Sequence, residues 1–76
     1  MSLRDSLLEA IKKHADGHIE KHRVNVENLL QNSVGVAEHP DYIETIEKEL
    51  GIIAEYDDQK EMLNKYFIKK DPFKTW

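Results

Sequence analysis

The sequence predicts an all-α protein, an antiparallel hairpin of two long helices. Three observations carry that expectation. Apolar residues recur at intervals of three and four over residues 3–31 and again over 40–67. The two stretches have nearly equal length. A short break containing Gly35 and Pro40 separates them.

The first helix is expected over about 3–31. Ser2 followed by Asp5 resembles a capping box, with Asp in place of the usual Glu or Gln. Leu7, Leu8, Ile11, Ala15, Ile19, Val26, Leu29 and Leu30 then trace one face. No proline interrupts the run, and Gly17 is its weak point, worth about 1 kcal/mol relative to alanine. Asn32 suits the left-handed conformation that closes a helix. Residues 32–39 form the turn, where Val34 and Val36 are expected to plug the open end of the hairpin.

The second helix is expected over about 40–67. Pro40 fits a first helical position, and Asp41 and Glu44 complement the positive end of the helix dipole. Its stripe reads Ile43, Ile46, Leu50, Ile53, Tyr56, Met62, Leu63, Tyr66 and Phe67. Each helix would span about 42 Å at 1.5 Å per residue, so a tight loop brings them side by side. Asp71-Pro72 stops any continuation and leaves an aromatic tail over 68–76. With the reversal near residue 36, residue i of the first helix faces roughly residue 73 − i of the second.

Seventy-six residues make one small domain with a thin margin of stability. Chains of this size usually rely on disulfides, a structural metal or a partner subunit. The chain has no cysteine, so disulfides and thiolate sites are excluded. Two helices shield one seam, yet Val24, Tyr42, Ile52, Phe73 and Trp76 fall beside or outside it. These five are the expected interface residues of a homodimer, two hairpins forming a four-helix bundle. The alternative is a monomer whose C-terminal aromatics fold back over the seam.

The formal charge is −4. Residues 1–33 balance five bases against five acids, whereas residues 40–67 carry eight acids and three lysines. No helix face clusters Lys and Arg, so a nucleic-acid partner is not expected. No segment is apolar enough to span a membrane, and the N-terminus lacks the pattern of a signal peptide. A cytoplasmic protein follows as the expectation.

Chemistry is faintly marked. His14, His18 and His22 lie four apart on one helix, and the expected register brings Asp57 near His14 or His18. Such a His/carboxylate set suits zinc or iron, although three histidines at this spacing drift around the helix. The plainer reading is histidines flanking a seam and bonded to acids of the facing helix. On that reading their pKa values rise in the fold. Glu44-x-x-Glu47 and Glu55-x-x-Asp58 faintly resemble the magnesium-binding carboxylate pairs of all-α nucleotide pyrophosphohydrolases. Both pairs lie on one helix, with Glu44 and Glu55 about 16 Å apart, so they do not converge within one chain. A solvated charged face is the ordinary explanation of them.

Glu38-His39-Pro40-Asp41 places a histidine between two acids, a pH-sensitive contact or simply the cap of the second helix. Gly51, opposite about Arg23, would permit close helix approach at the seam or across a dimer interface. No strand-turn-helix serine and no glycine-rich phosphate loop is present, so no catalytic or cofactor-binding residue is assigned.

Asn32-Ser-Val-Gly-Val-Ala-Glu-His-Pro-Asp41, continuing through Ile43-Glu-Thr-Ile-Glu-Lys-Glu-Leu50 to Ala54-Glu-Tyr-Asp57, resembles small helical proteins of tailed marine phages, especially cyanophage myoviruses. The likeness covers about residues 18–67. It implies a phage-encoded protein in the host cytoplasm and brings no activity. The function expected from the residues is a non-enzymatic protein–protein interaction or oligomerisation module. The alternatives are a His/carboxylate metal-binding protein and, more remotely, a magnesium-dependent pyrophosphohydrolase.

Overall fold

The structure, a computed structural model, describes residues 2–31 and 41–68. They form two α-helices, α1 (Leu3–Gln31) and α2 (Tyr42–Tyr66), packed against each other, with no strand among the described residues. The expected turn over 32–39 with Val34, Gly35 and Val36, the Asn32 and Pro40 caps, the Glu38–His39 motif, and the tail with Phe73 and Trp76 lie outside those residues.

Local signals act where they were expected. The Asp5 backbone N–H donates to the Ser2 hydroxyl at 3.1 Å, and the Ser6 N–H donates to the Ser2 carbonyl at 3.0 Å. These bonds satisfy donors that a helix start leaves without intrahelical partners. α1 then runs unbroken through Gly17. α2 begins at Tyr42, two residues later than expected. The Asp41 carbonyl receives both the Thr45 N–H at 2.8 Å and the Thr45 hydroxyl at 2.9 Å. At the other end, the Phe67 and Ile68 N–H groups both reach back to the Leu63 carbonyl and close the helix.

The register is antiparallel and close to that expected. Arg4 donates to the Phe67 carbonyl, Asp16 meets Lys60, His18 lies on Tyr56, and His22 and Asn25 reach Glu49. The residue numbers of these pairs total between 71 and 76, around the expected 73.

The seam is narrower than the apolar pattern implied. Ala15 is the one described residue that is fully buried. Around it, Leu8, Lys12, Ile19, His22, Val26 and Leu29 of α1 are half-buried, as are Tyr42, Ile46, Glu49, Ile53, Tyr56, Lys60 and Leu63 of α2. Within these sets Leu8, Ala15, His22 and Leu29 fall seven apart, as do Tyr42, Glu49, Tyr56 and Leu63. Such spacing marks the thin contact line of a helix pair, in place of the broad face a helix turns to a globular core. Leu7, Ile11, Leu30, Ile43, Leu50, Tyr66 and Phe67, expected on the buried stripe, are exposed instead. Leu7, Leu30, Ile43 and Leu50 each sit one residue to the side of that line.

Candidate functional site

The middle of the seam is polar. His22 points across to α2, where its Nδ1–H donates to a Glu49 carboxylate oxygen. The Asn25 side-chain amide donates to the other Glu49 oxygen at 3.3 Å. Only 12% of the His22 side chain and 19% of the Glu49 side chain remain exposed. A carboxylate so enclosed persists because both oxygens are bonded. The hydrogen bond from His22 holds the Glu49 carboxyl below its ordinary range, against the opposing effect of desolvation.

One turn toward the N-terminus, His18 lies flat on Tyr56. Their ring centroids are 4.5 Å apart, with the planes within 6°. His14 meets the His18 ring edge-on at 4.5 Å, and the two Nε2 atoms approach to 3.2 Å. His18 Nδ1 is buried without a hydrogen-bond partner. Desolvation, followed by the charges of His14, Lys21 and His22, pushes the His18 pKa down. For His18 this direction corrects the expectation of a raised value. At His18 the facing helix supplies a tyrosine ring and no carboxylate, so nothing there stabilises an imidazolium.

The expected ligand set therefore separates. His14 and His18 come together through their Nε2 atoms. His22 stacks on His18 at a centroid distance of 6.2 Å, but its Nδ1 is engaged by Glu49. Asp57 is exposed and favours the charged form of Lys60, a residue already bonded to Asp16 at 2.5 Å. Tyr56, its sequence neighbour, takes the place on the seam that the register assigned to Asp57. Among the described residues, no group of three or more His, Asp or Glu side chains converges on a common point. Glu44, Glu47, Glu55 and Asp58 are all exposed along α2.

The interface candidates divide as well. Val24 is half exposed. Tyr42 and Ile52 are half-buried, Tyr42 on the same seven-residue line as Glu49. Gly51 does not serve close approach of α1 and α2, because a Cβ there would meet nothing within 4 Å. A close contact at Gly51 would have to come from outside the described residues.

Glu49 and Asn25 escaped the sequence reading, although a signal for Glu49 was present. Counting in sevens from Leu8 and from Tyr42 lands on His22 and Glu49, two polar residues on otherwise apolar lines. Comparison with protein-family models, with curated proteins and with solved structures finds no match to this chain, so the site rests on its own residues and geometry.

Proposed function

We propose that the chain is a non-enzymatic interaction module, a helical hairpin that pairs with a second copy of itself as a four-helix bundle. One observation carries this reading. Ala15 is the one buried residue among those described, while Leu3, Leu7, Ile11, Val24, Leu30, Ile43, Leu50, Tyr66 and Phe67 are each 43% exposed or more. Two helices side by side make a single layer, and a stable domain needs a second layer over its apolar surface. Leu3, Leu7 and Ile11 recur every four residues and form a continuous stripe on α1. Ile43 and Leu50 lie seven apart on one side of α2, near the open Gly51 position.

His22, Asn25 and Glu49 support the same reading. A polar group on a helix-pair line fixes which residues face one another, at some loss of stability. This bonded set sets the alignment of α1 on α2 and leaves cohesion to be supplied from outside the chain. In the assembled bundle, Glu44, Glu47, Glu55, Asp58 and Glu61 form an acidic α2 surface for another protein. No helix among the described residues is long and apolar enough to cross a membrane.

Sedimentation equilibrium at micromolar concentration tests the proposal. The expected result is twice the chain mass, with L7E/I11E shifting the equilibrium to the monomer or unfolding the chain. A folded monomer at every concentration overturns it.

A further inference from the structure

We propose that His14 and His18 form a two-imidazole clip for a borderline divalent transition-metal ion, zinc or copper(II), with water completing its coordination. The distance between the two Nε2 atoms is the first support. Two Zn–N bonds of about 2.05 Å at a tetrahedral angle place the nitrogens about 3.3 Å apart. At the right angle preferred by copper(II), similar bonds bring them to about 2.9 Å. The observed 3.2 Å falls between these values.

The ligands are also held in place. Tyr56 stacks on His18 and fixes its plane, and His14 packs edge-on against the same ring. In the metal-free chain, one proton between the two Nε2 atoms makes their contact attractive. A metal ion replaces it, and that proton moves to Nδ1 of His18 as the ring changes tautomer. Both imidazoles stay neutral, which is the form that ligates.

Room for further ligands lies beside the pair. Lys13, His14, Gly17, His18 and Lys21 line an open concavity of about 260 Å³, and a Cβ at Gly17 would meet nothing within 4 Å. A larger side chain here would occupy the space where coordinated water sits.

Two features limit the affinity. His18 Nδ1 has no partner to receive its proton, whereas well-supported metal ligands bond that atom to a carbonyl or carboxylate. Lys21 adds a positive charge nearby; Lys13 is paired with Glu9 at 2.9 Å. Both features weaken the clip. Both ligands lie on one helix, so it requires no second copy and stands or falls separately from the assembly.

Calorimetric titration of the untagged full chain with zinc chloride or copper sulfate near pH 7.5 provides the test. The expected stoichiometry is one ion per chain. His14 is exposed, so H14A keeps the fold, as circular dichroism will verify, and weakens binding by about tenfold or more. H22N, which keeps a side-chain donor to Glu49 and whose fold circular dichroism also verifies, leaves affinity within about threefold, because that ring is not a ligand, and K21Q tightens it about twofold as a neighbouring charge is lost. Absence of heat at millimolar metal, wild-type affinity in H14A, or an H22N loss as large as that of H14A would each overturn the proposal.

Discussion

The middle of the hairpin and its two ends solve the same packing problem with different chemistry. Toward the chain reversal, Val26, Leu29 and Ile46 are half-buried, and toward the termini so are Leu8, Met62 and Leu63. These ends contribute non-directional cohesion that tolerates a shift of one helix along the other. Between them stand His18 on Tyr56 and His22 with Asn25 on Glu49. Hydrogen bonds and ring stacking do not survive such a shift, so the polar middle specifies alignment while the apolar ends supply adhesion.

The largest effect is expected where the two chemistries meet, at Ala15. Ala15→Glu drives a long charged side chain into the one fully enclosed position, at a cost of at least about 3 kcal/mol. Helical circular dichroism should collapse, and retention of a cooperative melt would show that the apolar ends suffice without close contact in the middle.

A smaller effect separates specificity from stability. Glu49→Ala removes the acceptor of both His22 and Asn25 and should lower the melting midpoint by several degrees. His22→Leu with Glu49→Leu should instead raise it by about 5 °C, since a packed apolar pair commonly outperforms a buried ionic one. That gain should come with a less uniform alignment, visible as extra or broadened amide resonances. A double variant as well ordered as the wild type would break the division of labour between middle and ends.

The pH response is the mildest probe. His18 has a lowered pKa, so the unfolded chain binds more protons than the folded one as pH falls below about 6.5. Its contribution is complete above that value and is lost as pH falls through the folded pKa. Glu49 works in the same direction at lower pH. Its contribution is present above the unfolded value near 4.5 and disappears as pH falls through the depressed folded value. Thermal melts in chelator should therefore show stability declining from pH 7 to 4. A rise between pH 7 and 6 would mean that an acid, and not Tyr56, governs the central imidazoles.

Much of this architecture was legible in the residues. The intervals of three and four, Ser2 before Asp5, and two runs of matched length led to two helices, to the start of α1 at Leu3, and to a register within a few residues of that observed. Such features are local or follow from chain length, and need no knowledge of a partner surface. The breadth of the buried face was not legible. Hydrophobicity marks Leu7, Leu50 and Tyr66 as strongly as Leu8 and Leu63, and only the curvature of one helix against one other leaves the former exposed.

The sequence by itself determined that this chain is helical, that it folds back once, and that its three histidines lie along one helix. Tertiary structure decided what each histidine does. A shift of a single residue along α2 exchanges Asp57 for Tyr56 opposite His18, or Leu50 for Glu49 opposite His22, and so changes a carboxylate contact into ring stacking or an apolar contact into a hydrogen bond. Periodicity places a residue on a face to within a turn, whereas hydrogen bonds and ring stacking depend on position to a fraction of an ångström. That gap in precision is where the chemistry of the seam was settled.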